Sequence, residues 1–235
     1  MSHKHNHKHQ THSHQGHDHD HGHHDHGAGT IDHPRAYEVL ISLILAGRRR
    51  RLYTQMIDRA GMTPGDHVLD VGCGTGYLTR LIADRVTPSG QVTGLDAAPA
   101  MIDYSRRHAA ANCTYVTAEA QQIPLPDKSY DVVVSSFALH HIAPTARAAS
   151  LREMFRVLRP GGRLLIAEFR PAEGHPVERW LNAFFGHAMR TGLRESLPPL
   201  ATEAGFHIDT ITKTQPAAFH LLAVRPATDR ETASR

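Results

Sequence analysis

Between residues 64 and 170 the apolar positions keep changing period, from short runs that suit a buried strand to stripes that recur every three or four residues. Val68, Leu69 and Val71 mark a first short strand, and the glycine-rich run after it leads straight into a helical pattern at 77–86. The alternation then repeats. QVTGLD (91–96) reads as a second strand and is followed by a helix over 98–111 with Pro99 near its start. CTYVTAE (113–119) and YDVVVSS (130–136) read as strands three and four. A helix over 144–158 gives way at Pro160-Gly161-Gly162 to a turn, and RLLIAEF (163–169) follows as strand five. Strands alternating with helices predict a parallel sheet with helices on both faces, an α/β fold.

Outside that block the pattern differs at both ends. Leu40, Ile41, Leu43, Ile44 and Leu45 make a strongly apolar helix that opens near Pro34 and closes at Gly47. A second helix begins in Arg48–Arg51 and carries Tyr53, Met56 and Ile57. The apolar run at 37–47 is too short to span a bilayer, although the arginines beside it leave a peripheral membrane contact open. The connection from Arg170 to about Gly205 contains PVERWLNAFFGHAM, with Val177, Trp180, Leu181, Phe184 and Phe185 at helical spacing. The last ten residues, 226–235, have the composition of a frayed end.

Residues 1–30 change the picture most. They hold 12 of the 21 histidines, His3, His5, His7, His9, His12, His14, His17, His19, His21, His23, His24 and His26, with no apolar run. Such a segment cannot bury a core and is expected to be a disordered tail. Its imidazoles, joined by Asp18, Asp20 and Asp25, suit zinc, nickel, copper or cobalt without geometric selectivity. The alternative is a solubilising or purification tail. About 200 remaining residues fit one enzyme-sized domain. A formal net charge of +3 gives no indication of nucleic-acid binding. Two cysteines, Cys73 and Cys113, offer no disulfide framework, and with a polar start to the chain the expected location is the cytoplasm.

The chemistry is concentrated in DVGCGTG, residues 70–76. Gly72, Gly74 and Gly76 let the backbone approach a ligand with no Cβ in the way, and the helix N-terminus beyond them suits a polar group. A dinucleotide fingerprint would need its third glycine at the position of Tyr77, so a nicotinamide or flavin site fits poorly. Asp70 argues the same way, because a carboxylate at a strand end repels phosphate and attracts an ammonium or sulfonium group. Asp96, at the end of the second strand, suits the two hydroxyls of a ribose.

With these residues in place, the stretch from 64 to 170 resembles the class I S-adenosylmethionine-dependent methyltransferases. The resemblance rests on DVGCGTG (70–76), GLDAAPAMI (94–102), TAEAQQIPLPDKSYDVV (117–133) and LRPGGRLLIAEF (158–169), four motifs in order. Its wording comes nearest to the ubiquinone/menaquinone-type enzymes. The resemblance implies a Rossmann-like, doubly wound, mostly parallel seven-stranded sheet whose last strand is antiparallel, with 206–214 and 217–225 as the closing hairpin. It implies S-adenosylmethionine as cofactor, bound by the loop of Gly72, Gly74 and Gly76 with Gly72 and Gly74 along its methionine portion, Asp70 near the ammonium and Asp96 on the ribose. Glu119 and Ala120 stand where the family commonly has Asp-Ala against the adenine, Met101 would pack on that ring, and Ser136 would complete the lining. The N-terminal helices, 31–60, would lie over this site, with Arg48–Arg51 facing a carboxylate, an anionic substrate or solvent. The domain would span 61–225, and its 170–205 connection, through Trp180, Phe184 and His187, would choose the acceptor.

Displacement at a sulfonium methyl mainly requires alignment and exclusion of water. The chain reads SSFALHH after strand four, without the Asn/Asp-Pro-Pro-aromatic run of adenine and glutamine methyltransferases, so carbon or oxygen is favoured over nitrogen. His140 and His141 suit a proton acceptor, and Glu168 at the end of strand five is a rival. Arsenic methylation is disfavoured by the two cysteines. Three function classes stay open: a small-molecule methyltransferase, a metal-responsive or metal-handling protein that retains the fold, and a module that binds the cofactor without turnover. The sequence leaves the oligomeric state open.

Overall fold

The computed structural model describes residues 34, 35, 38, 39, 41, 47–169, 193–214 and 218–227. The histidine tail, most of the 34–47 helix, the aromatic segment at 176–189 and the last eight residues lie outside them. Five helices and seven strands follow in the order α1 (Arg49–Arg59), β1 (His67–Val71), α2 (Tyr77–Val86), β2 (Gln91–Asp96), α3 (Pro99–Arg107), β3 (Cys113–Thr117), β4 (Tyr130–Ser136), α4 (Pro144–Val157), β5 (Leu158–Phe169), α5 (Leu193–Glu203), β6 (His207–Thr214) and β7 (Ala218–Val224) among the described residues. A short 3-10 turn, Leu139–His141, lies between β4 and α4.

The strands form one sheet in the order β3-β2-β1-β4-β5-β7-β6. The first five run parallel, and β7 enters antiparallel between β5 and β6. The expected Rossmann-like sheet is therefore the observed one. The strand order reverses between β1 and β4, and in such folds the crevice beyond the carboxyl ends at that switch is where ligands sit.

Burial on both faces explains the runs of Val, Leu and Ile. On one face Leu69, Val133, Leu164, Ile166, Phe219 and Leu221 pack with Leu151 and Met154 of α4 and Leu193 and Leu197 of α5. On the other, Val68, Val132, Val134, Leu165 and Ala167 pack with Tyr53, Met56 and Ile57 of α1 and Leu78, Ile82 and Val86 of α2. The buried positions of α2, Leu78, Thr79, Ile82, Ala83 and Val86, recur every three or four residues, which is why the apolar period identified this helix.

Three boundaries depart from the sequence reading. Helix α3 stops at Arg107, four residues short of the expected end, because the Asn112 amide donates to the carbonyls of Ala83 and Gly90 and draws the chain into a turn. Strand β3 stops at Thr117, and the Gln122 N–H donates to the Glu119 carbonyl to begin a turn. Strand β5 begins at Leu158, so Pro160-Gly161-Gly162 forms an irregularity inside a strand instead of the turn before one. Helix α5 falls within the 170–205 connection expected to choose the acceptor, yet Leu193, Leu197 and Ala201 belong to the core.

The end of β7 also holds α4 in place. The Arg225 guanidinium donates to the carbonyls of Phe155, Arg156 and Leu158 at 2.7, 3.2 and 2.8 Å and stacks on the Phe155 ring. These are the carbonyls that a helix C-terminus leaves without intrahelical partners. Replacing Arg225 with Ala is expected to cost about 2 kcal/mol, read as a lower urea midpoint at unchanged slope; an unchanged midpoint would contradict this role.

Candidate active site

The loop after β1 is folded by its neighbour β2. The N–H groups of Gly72 and Cys73 donate to the Leu95 carbonyl at 2.7 and 3.0 Å, and the Gly74 N–H donates to Asp96 Oδ2 at 2.8 Å. Asp96 Oδ1 accepts from the Ala98 N–H at 2.9 Å, which ties the start of α3 to the same carboxylate. Burial raises the Asp96 pKa, and these two backbone donors hold it down in part. A carboxylate has about four lone-pair sites. Two are used here, so both oxygens retain capacity for a ligand's hydroxyls.

Gly72 and Gly74 both have positive φ but face different surroundings. A Cβ on Gly72 would stand 2.2 Å from the Cβ of Ala138, whereas a Cβ on Gly74 would meet nothing within 4 Å. Gly72 is therefore required by the protein's own packing against the turn after β4. Gly74 leaves open space on the outer face of the loop, a cradle that a side chain would fill. Gly76 caps α2, with Tyr115 and Ser105 close behind it.

Asp70 is fully buried at the end of β1. Its Oδ2 accepts from the Thr79 hydroxyl at 2.7 Å, while Oδ1 has no hydrogen-bond partner among the described residues. Burial pushes its pKa up to about 7, and the nearby negative charge of Asp96 adds to the rise. A cation placed against that oxygen would reverse the effect.

Met101 and Ala120 are buried, Ser136 is half-buried at the end of β4, and Glu119 is exposed at the turn after β3. The Tyr53 phenol, beside Arg49, has its pKa raised by burial. Beyond Ser136 the chain turns sharply at Phe137, φ 53°, whose N–H donates to the Ala167 carbonyl at 2.8 Å. His140 is 4% exposed, and its Nδ1 lies 2.9 Å from Glu168 Oε2. Glu168 Oε1 accepts from the Leu139 N–H at 2.7 Å. Both oxygens of Glu168 are thus engaged within the turn that carries His140. The His141 ring packs on that of His140 at a centroid distance of 4.1 Å, and burial lowers its pKa to about 4, with the neighbouring His140 contributing.

Several residues of this region escaped the sequence reading. Of the four arginines at 48–51 only Arg49 is buried; the other three are exposed. Arg49 grips Glu38 through two contacts of 2.5 and 3.0 Å, lies 3.9 Å from the centroid of the Tyr77 ring, and shares Glu38 with the Thr75 hydroxyl. The N-terminal segment is thereby fastened to the glycine loop. Glu38 carried no sequence signal, because its partners stand 11 and 37 positions away. His220 and Arg147 also went unnoticed: both are buried, and Arg147 Nε donates to the Ile142 carbonyl. The histidines of the tail, and Trp180, Phe184 and His187, lie outside the described residues.

Comparison with known proteins gives this geometry a family. The family profile described as a methyltransferase domain matches residues 68–162. A demethylmenaquinone methyltransferase of Symbiobacterium thermophilum is 36% identical over 137 residues, covering 56% of this chain and 54% of that protein. A ubiquinone/menaquinone biosynthesis C-methyltransferase of Ectopseudomonas mendocina is 40% identical over 136 residues, covering 55% and 52%. Residues 68–162 match a methyltransferase domain, as the resemblance to the class I S-adenosylmethionine-dependent enzymes implied. The chain spans little more than half the length of these two relatives. In fold, a S-adenosylmethionine-dependent methyltransferase from Aquifex aeolicus superposes with a TM-score of 0.66 at 21% identity, over 82% of this chain and 98% of that one. The [4+2]-cyclase SpnF shares the fold at 0.63 and 21% identity, over 75% and 80%.

The open face of Gly74, the spare capacity of Asp96 and the buried, unpaired Oδ1 of Asp70 fit the cofactor of this family. A pH dependence follows. Because the folded pKa of Asp70 lies above its unfolded value of 3.8, the ligand-free protein loses stability as pH rises toward about 7, and above that the cost is fully present. An ammonium held by the ionised carboxylate displaces the proton. Affinity for S-adenosylhomocysteine is expected to fall by up to about tenfold per pH unit below 7, in calorimetry across that range. Asp70→Asn should bind more weakly at neutral pH and lose this slope; a wild-type affinity that is flat with pH would refute the assignment.

Proposed function

We propose that this chain transfers the methyl group of S-adenosylmethionine to carbon or oxygen of a small hydroxylated acceptor, with a quinol-type ring carbon favoured. The observation that carries the reading is the contact of Gly72 with Ala138, which joins the Asp96-bound glycine loop to the turn bearing the His140–Glu168 pair. The names of the two curated relatives support a quinone-type acceptor and carbon as the receiving atom.

S-adenosylmethionine, when bound, supplies an activated sulfonium methyl. The chain's own residues hold and shield it. Gly72 and Gly74 line its methionine portion with bare backbone, Asp70 offers a negative charge to the ammonium, and Asp96 accepts from the ribose hydroxyls. Glu119 and the Ala120 N–H take the adenine edge, and Met101 packs beside it. Ser136 lines the side toward the acceptor. Arg49, clasped to Glu38 and Tyr77, holds the N-terminal segment against the loop and excludes water.

For the acceptor, Glu168 accepts a hydrogen bond from His140 Nδ1–H and so leaves Nε2 as the proton acceptor. Removing a phenolic proton at Nε2 raises electron density on the neighbouring ring carbon. That carbon would take the methyl of bound S-adenosylmethionine as the methyl–sulfur bond breaks; the ring C–H proton would leave to solvent and His140 would return its proton to the ring oxygen, restoring aromaticity and the neutral imidazole. His141, neutral at pH 7 through its burial, packs behind His140 and adds no competing charge.

His140→Gln is expected to lower kcat by about 10²- to 10⁴-fold in an assay with tritiated S-adenosylmethionine and 2-prenyl-1,4-naphthoquinol, while S-adenosylhomocysteine affinity stays near wild type. Sustained labelling of DNA in place of the quinol would overturn the acceptor class. Wild-type protein that binds NAD and neither cofactor form would overturn the activity.

The 12 tail histidines support a second property, multi-site binding of zinc, nickel, copper or cobalt near neutral pH and release as pH falls through about 6.5. None of the tail residues falls in the cofactor motifs, so deleting residues 1–30 should remove most zinc or nickel uptake and leave cofactor affinity nearly unchanged, by equilibrium dialysis and calorimetry. If metal altered cofactor binding only when the tail was present, a metal-responsive regulator would become the better reading.

A further inference from the structure

Residues 118–129, between β3 and β4, have no strand or helix of their own, yet their apolar side chains are drawn into the core. Ala120 and Ile123 are buried, and Ala118 and Leu125 pack against the same cluster, which also holds Leu151 and Met154 of α4. Irregular backbone that follows its side chains inward must find partners for its N–H and C=O groups. Here one turn of α4 supplies them.

The Ile123 N–H donates to Glu153 Oε2 at 2.9 Å, and the Ile123 carbonyl accepts from Arg156 Nη2 at 2.7 Å. Two side chains thus hold both backbone groups of one residue, as a neighbouring strand would. Arg156 Nη1 reaches further along the stretch, to the Leu125 carbonyl at 2.9 Å and to Asp127 Oδ1 at 2.5 Å. Its Nε and Nη2 also donate to Glu153 Oε1 and Oε2 at 2.8 and 2.7 Å. A guanidinium has five N–H donors in a fixed fork, and these five bonds use them all. The hydrogen bond from Arg156 holds the Glu153 carboxyl below its ordinary pKa, so the pair is ionised at neutral pH. The other end of the stretch is tied to the cofactor side: the Ala118 N–H donates to the Asp96 carbonyl at 3.1 Å, and the Gln122 N–H donates to the Glu119 carbonyl at 3.0 Å. Glu119 and Ala120 are therefore strung between the end of β2 and the Glu153–Arg156 pair.

We propose that Glu153 and Arg156 are positioning residues for the cofactor's base: by fixing the Ile123 backbone they aim Glu119 and the Ala120 N–H, and so set a preference for a 6-amino purine over a 6-oxo purine. The inference rests on the reading that places adenine against Glu119 and Ala120. An adenine edge offers an amino donor to the carboxylate and a bare ring nitrogen to the N–H. In the 6-oxo base both are reversed, with a carbonyl facing the carboxylate and a protonated nitrogen facing the N–H. Hydrogen bonds weaken steeply as they lose alignment. A turn released from α4 therefore loses this discrimination first, while Asp70, Gly74 and Asp96 still hold the rest of the cofactor from β1 and β2.

The test uses the full-length chain and two ligands, S-adenosylhomocysteine and its deaminated form S-inosylhomocysteine, with both affinities measured by calorimetry below the melting midpoint of each variant. The ratio of the two affinities is the readout. Partial unfolding weakens both ligands equally and cancels in the ratio, so a residue that only stabilises the fold leaves it unchanged. Wild type should favour the adenosyl form by about tenfold or more. Arg156→Lys keeps the charge but has no fork, and should reduce the preference to about threefold or less. Glu153→Gln is the milder change and should reduce it part of the way; if Arg156→Lys fails to fold, Glu153→Gln decides alone. Arg225→Ala is the comparison, because the Arg225 guanidinium bonds go to Phe155, Arg156 and Leu158 at the end of α4, and it should keep the wild-type ratio. A preference retained in full by both pair variants would overturn the inference, as would an equal fall in Arg225→Ala. A wild type that binds S-adenosylhomocysteine with no preference over the inosyl form would overturn the adenine reading itself, and the inference with it.

Discussion

The close approach of Gly72 to Ala138 is the constraint on which the rest of the site depends. The glycine loop leaves β1, and the SSFALHH turn leaves β4; these strands are neighbours at the point where the sheet order reverses. Two backbones leaving adjacent strands must share the same few ångströms, and only a residue without Cβ fits, since a Cβ on Gly72 would lie 2.2 Å from that of Ala138. The close approach fixes the glycine loop relative to the turn that carries His140. Strain at Phe137, φ 53°, is accepted in the same turn and is held by its hydrogen bond to the Ala167 carbonyl.

Three carboxylates stand at this end of the sheet, Asp70 and Glu168 buried and Asp96 half-buried, and each is accommodated differently. Asp96 is bound by backbone N–H groups on both oxygens, Glu168 by one N–H and an imidazole, and Asp70 by a single hydroxyl. Of the three, only Asp70 keeps an oxygen without a partner among the described residues, and burial moves its pKa toward neutrality. The first two fix the geometry of the loops. The third keeps one oxygen open among the described residues. The shared fold of the [4+2]-cyclase SpnF shows that this sheet alone does not dictate methyl transfer, so the functional argument has to rest on how these individual groups are held.

The apolar periods of residues 64–170 made the alternating strands and helices legible, because each strand and helix buries a local stripe and period is a local property. Strands β2 and β4 and helix α2 fell where the pattern put them. The misjudged ends have tertiary causes: Asn112 ends α3 early by reaching backbone 29 and 22 positions away, and β5 takes in Pro160-Gly161-Gly162 because Leu158 pairs with Tyr130. The residues of the glycine loop could be singled out as a ligand cradle from their spacing, and the resemblance of four motifs gave that cradle a cofactor.

The sequence by itself therefore determined the fold class and put forward the glycine loop, Asp70 and Asp96 as cofactor candidates and His140, His141 and Glu168 as catalytic candidates, all through motifs whose residues lie close together in the chain. Tertiary structure alone decided their relations. It paired His140 with Glu168 across 28 positions, engaged both oxygens of Glu168, and selected Arg49 from four arginines through Glu38 and Tyr77. The physical reason is that hydrogen bonds and burial act over a few ångströms of space, and a parallel sheet brings to one edge residues that the chain separates by whole helices.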